Sequence, residues 1–380
     1  MRNRTLITLA AATALPLLGL PASALAQDAP TTSQPYFEHM VDQSRALGLE
    51  RIGLRLDAIA ALDAPIDDEL AEIGEFDPDF ARFGGTLTMI DETLADQLLE
   101  VLEAVEEVVE EGEDASDLVA AARDLLARAY DAVIPAETRE SAAFKGAVMT
   151  DLLLGEPGVA EGFEEQVEEP AGFALGWAAL QRVKALWGEV ADAATEQRRA
   201  DAENLIATLE AVYPEAEPPE DFTGNPEEAE SPSQLLVGIL EEVTRADLYP
   251  GRDLGVLAGQ LAAAIAPGCD AYAAGQDEIG DEVIYAAAYQ YESQLGDTLG
   301  LFDPEANERV EGLLSQLVTV GDDDDDDEAA AGDDDDAPAP ASDDDDDDDD
   351  DDNAVAAGDP AEVCTALIGA FTEARGVFGG

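Results

Sequence analysis

Three runs of aspartate between residues 321 and 358 restrict how the rest of the chain can fold. The runs cover residues 322–327, 333–336 and 343–352, and no lysine or arginine lies among them. Adjacent carboxylates on an extended chain lie about 3.5 Å apart, well inside the roughly 8 Å screening length of physiological salt, so they repel one another. With few apolar side chains to bury, this stretch is predicted to be a disordered insertion. A folded core must therefore come from the segments on either side.

Two cysteines, Cys269 and Cys364, flank the aspartate stretch. In an oxidising compartment they are predicted to pair, and two independent thiols are the alternative. The bridge would close a loop of roughly 95 residues, worth about 4 to 5 kcal/mol in the chain-entropy description. A disulfide would make the aspartate stretch a loop held at both ends instead of a free tail.

The first 26 residues have the features of a secretory signal peptide. Arg2 and Arg4 precede an apolar run over residues 6–20, and the sequence Ala24-Leu25-Ala26 fits an A-x-A cleavage site. No later segment reaches the roughly 20 apolar residues of a good membrane span. We expect a mature protein in the periplasm or outside the cell that does not span the membrane.

The charge of the chain excludes some partners. The formal net charge is −70, from 88 Asp and Glu against 18 Lys and Arg. This excess disfavours binding to nucleic acid or to an anionic membrane surface. Adaptation of the surface to a salty habitat explains the dispersed acids as well as any specific role does.

Apolar residues recur at helical spacing through most of the remaining sequence, and no segment alternates as a strand would. We predict an all-α protein built of antiparallel helical bundles in two halves. Residues 27–213 form the expected N-terminal helical domain, 214–232 an acidic proline-rich linker, and 233–320 with 359–380 the C-terminal helical domain. Ser233, Asp303 and Asp359 are the expected starts of helices. The clearest apolar stripe comprises Leu87, Ile90, Leu94, Leu98, Val101, Leu102, Val105 and Val109.

Residue counts disfavour most catalytic chemistry. His39 is the only histidine, and both cysteines are expected in a disulfide, so a Ser/His or Cys/His nucleophile has little support. The same counts exclude a Cys/His metal site. No glycine-rich phosphate-binding loop follows a strand. We predict that the protein is not an enzyme and requires no cofactor.

Oxygen ligation of hard cations is the chemistry that remains, with Ca²⁺, Mg²⁺ and iron as the expected ions. Glu161, Glu164, Glu165 and Glu168 would share one face of a helix, although a solvated face of a very acidic protein looks the same. The larger candidate set of ligands is the aspartates themselves: Asp322, Asp323, Asp324, Asp325, Asp326, Asp327, Asp333, Asp334, Asp335, Asp336, Asp343, Asp344, Asp345, Asp346, Asp347, Asp348, Asp349, Asp350, Asp351 and Asp352.

Two further groups combine residue types that bind ions. In the first, tyrosines lie beside a carboxylate on consecutive turns of a predicted helix, where packing in the core is the alternative role. In the second, a histidine lies between two carboxylates near the start of the first helix, where a surface or capping role is the alternative. The groups are Tyr285, Tyr289, Tyr291 and Glu292, and Glu38, His39 and Asp42.

Several short segments resemble the helical periplasmic modules of bacterial iron uptake, namely imelysin-like proteins and the periplasmic domain that precedes some iron permeases. The segments are Leu152-Leu153-Leu154-Gly155, residues 158–164, residues 176–180, Tyr289-Gln290-Tyr291-Glu292 and Asp303-Pro304. The resemblance implies helical bundles that present carboxylates to iron. The G-x-H-x-x-E motif of imelysins and the R-E-x-x-E motif of the permeases are missing, so no ligand is carried over.

The sequence thus predicts a secreted, non-enzymatic protein that binds or buffers divalent or ferric cations through clustered carboxylates. One alternative is a structural or interaction protein whose acidic loop is a solvated spacer or docks a basic protein. The other is a periplasmic component that delivers iron to a permease.

Overall fold

The computed structural model describes residues 40–62, 73–74, 76–164, 170–218, 224–246, 248, 254–317 and 359–378. These residues are predominantly helical and contain no strand, so the predicted all-α class is confirmed. The signal peptide, the aspartate runs, Glu38 and His39 lie outside the described residues.

The first ten helices run from residue 40 to residue 244. The helices are α1 (Met40–Ala61), α2 (Asp77–Phe80), α3 (Gly84–Glu110), α4 (Ser116–Val133), α5 (Ala136–Glu140), α6 (Ala142–Leu154), α7 (Glu161–Glu164), α8 (Pro170–Val190), α9 (Glu196–Val212) and α10 (Glu227–Thr244). Ser141 separates α5 from α6, and its side chain accepts a hydrogen bond from the Phe144 amide at the start of α6.

The remaining helices occupy the C-terminal part of the chain. A five-residue π-helical segment, Glu292–Gly296, lies between two of them without a loop. The helices are α11 (Leu254–Ala264), α12 (Ala266–Ala273), α13 (Asp277–Tyr291), α14 (Asp297–Phe302), α15 (Pro304–Leu314) and α16 (Pro360–Val377). Asp303 and Asp359 begin α15 and α16 as predicted, since their carboxylates accept hydrogen bonds from the amides of Ala306 and Ala361.

The buried apolar side chains of the described residues form two clusters. The larger draws on residues between Ala46 and Leu248, and the smaller joins Met40 to residues between Leu257 and Ala374. Helix α1 contributes to both clusters and contacts α2, α4, α6, α8 and α13. It is therefore the element that connects the two parts of the core.

Cys269 on α12 and Cys364 on α16 form the predicted disulfide, with their Cα atoms 5.4 Å apart. Helix α16 also packs against α11 and α15 and buries Leu367 and Phe371 completely. The last helix thus packs into the C-terminal cluster and is also linked to it by the disulfide.

Two local predictions were wrong. Ile90 is 53% exposed, because Asp91 has non-helical backbone angles (φ −152°, ψ 83°) that kink α3 and break the apolar stripe. Ser233 does not start a helix: α10 begins at Glu227, contains Pro232 and buries Ser233. Pro232 lies beyond the first turn of this helix, so it cannot donate the backbone hydrogen bond that an N–H at this position would give to the carbonyl of Glu228.

One stretch of the described residues, Leu254–Ala273, has the length and mean hydropathy (1.3) of a membrane span, and half of its apolar window is buried inside the protein. The sequence predicted no segment of this kind after the signal peptide. A single such stretch is weak evidence for a span, because the core helices of folded domains have the same composition. This stretch is α11 and α12, which contribute Leu257, Leu261 and Ile265 to the C-terminal cluster.

Gly48 allows α1 and α2 to approach closely. A Cβ atom at this position would lie 2.4 Å from the carbonyl oxygen of Asp79 and 2.9 Å from Cβ of Arg82. Since real Cβ atoms do not come this close, any side chain at position 48 would push α2 and the segment that follows it away from α1. The position of Asp79 and Arg82 relative to α1 therefore depends on this glycine.

The substitution Gly48→Ala is expected to lower the free energy of unfolding by about 1 to 3 kcal/mol through overpacking. The matched control is Gly188→Ala on α8, where nothing lies within 4 Å of the added Cβ. That change should raise stability by roughly 0.5 to 1 kcal/mol, because alanine favours the helix. Urea unfolding of both variants checks this, and a neutral or stabilising Gly48→Ala would contradict the close approach.

Candidate functional site

A cleft with a volume of about 690 Å³ opens among the described residues. Its walls come from α1, from α2 and the residues after it, from the loop between α6 and α7, and from α13 with the π-helical segment. We call it the arginine cleft. The lining residues that matter below are Arg51, Arg55, Asp79, Arg82, Glu156, Glu161, Tyr285, Tyr289, Glu292 and Ser293.

Three arginines surround one carboxylate in this cleft. Arg55 Nε donates a hydrogen bond to Asp79 Oδ2 at 3.2 Å, and Arg51 and Arg82 each have a nitrogen 3.8 Å from Asp79 Oδ1. Arg51 and Arg55 are four residues apart and lie on one face of α1. Asp79 is 3% exposed. A single buried carboxylate thus faces three guanidinium groups, which leaves positive charge in excess around it.

Arg82 is the most constrained of the three. It is 3% exposed, and its guanidinium lies 4.4 Å from the ring centroid of Tyr285 and 5.3 Å from that of Tyr289. Nη2 donates a hydrogen bond to the Tyr285 hydroxyl at 3.3 Å. Nε and Nη1 are buried and donate to no acceptor among the described residues. Burial and the nearby positive charge of Arg51 lower the pKa of Arg82.

Asp151 lies behind the cleft, in a side cavity of about 110 Å³ that shares Tyr289 and Ser293 with it. Its carboxylate accepts hydrogen bonds from Gln43 Nε2 and from the Tyr289 hydroxyl. Burial raises the pKa of Asp151 to about 6, although these hydrogen bonds and the charges of Arg51 and Arg82 oppose the rise. The Asp151 carboxyl group therefore exchanges its proton near neutral pH.

Gly155 allows the Tyr289 hydroxyl to reach this position. A Cβ atom on Gly155 would lie 2.7 Å from the hydroxyl oxygen and 2.8 Å from the carbonyl oxygen of Asp151. The same turn continues into Glu156 and Pro157, which line the cleft. The glycine at the end of α6 thus allows Tyr289, Asp151 and the loop between α6 and α7 to lie close together.

Three carboxylates, those of Glu156, Glu161 and Glu292, line the remaining walls of the cleft. Glu156 and Glu292 are exposed and Glu161 is half-buried. Burial raises the pKa of Glu161, and repulsion by Glu164 and Glu156 adds to the rise. Burial, together with the charge of Glu311, raises the pKa of Glu292. None of these three carboxylates forms an ion pair with a lysine or arginine of the described residues.

The π-helical segment places Glu292 and Ser293 on the cleft wall. It follows α13 directly, and the extra residue in its turn shifts the side chains relative to an uninterrupted α-helix. Tyr285 and Tyr289 lie on the preceding turns, whereas Tyr291 points into the core, where it is 1% exposed and packs edge-on against Phe371. Of the three tyrosines in the predicted group, two belong to the cleft and one to the core.

The structure brings only part of the predicted carboxylate set together. Glu161 lines the cleft and Glu164 is exposed beside it, while Glu165, Glu168 and all the aspartates of residues 322–352 lie outside the described residues. Within the described part of the chain, no group of three or more His, Cys, Asp or Glu side chains is arranged to hold a metal ion. Asp42 instead forms an ion pair with Arg45 at 3.5 Å.

The sequence patterns did not predict a site formed by the three arginines of the cleft. Arg51 and Arg55 carry a usable signal, because two cations at a spacing of four residues stand out in a chain with 18 basic residues. Arg82 carries no such signal, since only the packing of α2 against α1 brings it to the same site.

Comparison of the chain with protein-family models, with curated proteins and with solved structures finds no match. The resemblance to periplasmic iron-uptake modules therefore stays a prediction from sequence.

The raised pKa of Asp151 predicts how its replacement changes stability with pH. Below pH 3.8 the group is protonated in both the folded and the unfolded state; as the pH rises through about 6, the folded protein must ionise a buried acid and loses stability. The substitution Asp151→Asn removes this pH-dependent loss of folding stability. Relative to wild type, the variant should gain up to roughly 3 kcal/mol between pH 4 and pH 8.

Urea unfolding of both proteins at the two pH values measures this difference. The matched control is Asp96→Asn, which removes the same charge from an exposed position on α3. Equal pH dependence for the two variants would show that Asp151 ionises as an ordinary exposed carboxyl does.

Proposed function

We propose that this protein is a non-enzymatic binding protein that takes a small anionic ligand in the arginine cleft. The observation that carries the proposal is Arg82, a buried guanidinium with two unpaired N–H donors in the wall of the cleft. A buried donor without an acceptor costs about 1 to 3 kcal/mol, and more for a charged group. An oxygen anion would supply the missing acceptors.

The surroundings of Arg82 favour an anion over a neutral ligand. Arg51 and Arg55 add two guanidinium groups, and each of the three arginines has a nitrogen within 4 Å of the Asp79 carboxylate. Charge-assisted hydrogen bonds from arginine to carboxylate or phosphate are about twice as strong as neutral ones, and the planar guanidinium can bind two oxygens at once. The stacking of Arg82 on Tyr285 and Tyr289 holds it in one orientation before the ligand arrives.

The substitution Arg82→Gln is expected to weaken the binding of a carboxylate or phosphate anion by about 10- to 100-fold, the equivalent of one lost charged hydrogen-bond pair. Calorimetric titration with pentanoate and with inorganic phosphate measures the change. Arg123→Gln is the control, because Arg123 pairs with Asp57 outside the cleft and should leave the affinity unchanged. Thermal melting of each variant verifies that it is folded.

Equal binding by wild type and Arg82→Gln would place the anion elsewhere. If the wild-type protein binds neither pentanoate nor phosphate, nor any other small ligand with a carboxylate group, the anion proposal fails as a whole.

A second proposed function is the gathering of divalent or ferric cations by the aspartates of residues 322–352. It is supported by the sequence, in which 31 residues contain 20 aspartates and no basic residue. Many carboxylates in close succession along the sequence favour many weak sites over one tight one, so millimolar affinity for Ca²⁺ is expected. A protein exported to the periplasm or beyond, as the signal peptide predicts, meets calcium at such concentrations. Docking of a basic protein, a role as a solvated spacer and delivery of iron to a permease are the alternatives.

Deletion of residues 322–352 is expected to abolish most of the Ca²⁺ binding that calorimetry detects in the mature protein. The deletion variant should still bind pentanoate through the arginine cleft, because none of the cleft residues belongs to the stretch. Equal Ca²⁺ binding by both proteins would refute the cation proposal. Association with a basic protein that is lost in moderate salt, with no response to Ca²⁺, would favour the docking alternative.

A further inference from the structure

We infer that the ligand of the arginine cleft is a small zwitterion, with a carboxylate at one end and an ammonium or guanidinium group at the other. This inference rests on the proposed anion site and specifies its ligand class. It follows from the presence of two opposite charges in one cleft.

The anionic end of the ligand is assigned to Arg82. Nε and Nη1 of this buried side chain make no hydrogen bond among the described residues, although Nε lies 3.8 Å from Asp79 Oδ1. Burial and the positive charge of Arg51 both lower the pKa of Arg82. A carboxylate in this position would supply the missing acceptors and a negative charge beside both arginines.

The cationic end is assigned to the carboxylates on the other walls. Glu156, Glu161 and Glu292 line the same cleft, and none of them forms an ion pair with a lysine or arginine of the described residues. Other acids on this protein do find such partners; Glu50, for example, pairs with Arg182 and Glu242 with Arg198. A ligand that is only an anion would leave these glutamates unpaired and would be repelled by them.

The chemistry of the glutamates favours an organic cation over a metal ion. A hard cation such as Ca²⁺ needs roughly six to eight oxygen ligands around one point. The described residues contain no group of three or more acidic, histidine or cysteine side chains arranged for a metal, and Glu156 and Glu292 are largely open to solvent. An ammonium or guanidinium group needs only one or two carboxylates at hydrogen-bonding distance.

The charge of the whole protein also favours a zwitterion over a simple anion. With a formal net charge of −70, the chain repels free anions as they approach, whereas a zwitterion has no net charge and is not repelled at long range. The volume of about 690 Å³ accommodates a short flexible molecule with separated charges. Local pairing of both ends and the absence of long-range repulsion together favour the zwitterion.

Three probes of equal chain length test the inference: 5-aminopentanoate, pentanoate and pentylammonium. Each is titrated into the mature protein in a calorimeter at pH 7. We expect 5-aminopentanoate to bind at least about tenfold more tightly than either probe with a single charge. Equal or tighter binding of pentanoate would overturn the inference, as would equal binding of pentylammonium.

Matched glutamate variants locate the cationic end. The triple variant Glu156→Gln, Glu161→Gln, Glu292→Gln should reduce the preference for 5-aminopentanoate over pentanoate to within about threefold, since the ammonium group loses its three carboxylate partners. The control is Glu164→Gln, on the same short helix as Glu161 but outside the cleft, which should keep the full preference. An unchanged preference in the triple variant would overturn the assignment.

Two further outcomes separate the hypotheses. If pentanoate binds in a manner that depends on Arg82 and 5-aminopentanoate has no advantage, the anion site stands and the zwitterion is wrong. If added Ca²⁺ tightens pentanoate binding while the ammonium probe has no advantage, the glutamates hold a metal ion and the inference is also wrong. If no probe binds, the proposed function fails together with it.

Discussion

The arrangement of the cleft depends on one buried carboxylate, that of Glu282 on α13. Its side chain is fully buried and accepts hydrogen bonds from Arg45 Nε at 2.9 Å and from the Thr86 amide and hydroxyl at 2.6 Å each. Removing one partner from such a cluster would leave a charge without compensation, at a cost of about 3 to 5 kcal/mol. The cluster therefore fixes α13 against α1 and α3. Because Tyr285 and Tyr289 follow Glu282 at spacings of three and seven residues, the same contact directs both rings towards the arginines.

The arginines remain in an acidic protein because their local environment outweighs the average charge. Asp79 supplies one full countercharge at short range, while the many exposed acids are screened over roughly 8 Å. The guanidinium group tolerates this partial burial better than a lysine ammonium would, since it is more weakly hydrated and stacks on aromatic rings. The result is a cleft whose floor has the opposite charge to the surface around it, which is the physical basis for selecting a ligand with an anionic group.

The sequence predicts those features of the structure that depend on neighbours along the chain. The helices, the start of α15 at Asp303 and the start of α16 at Asp359 follow from local spacing and capping, and the pairing of Cys269 with Cys364 follows from the presence of two cysteines in the sequence. The prediction for Ile90 was wrong because a kink at Asp91 interrupts the apolar stripe, and that for Ser233 was wrong because the helix already begins at Glu227 and continues through Pro232. The cleft could not be predicted, because Arg51, Arg82 and Tyr289 are far apart in sequence and meet only through tertiary packing.

The arginine cleft and the aspartate stretch are physically separable. In the sequence the aspartates lie between α15 and α16, and these two helices pack against each other and are joined by an ion pair between Arg309 and Glu373. Closing a longer loop between fixed ends adds only about 0.6 kcal/mol for each doubling of its length, so the number of aspartates is weakly constrained by folding. The cleft, by contrast, needs Gly48, Asp79 and Glu282 in fixed positions. The ligand binding proposed for the cleft would therefore depend on the packed helices, whereas the cation binding proposed for the aspartates would depend on their number.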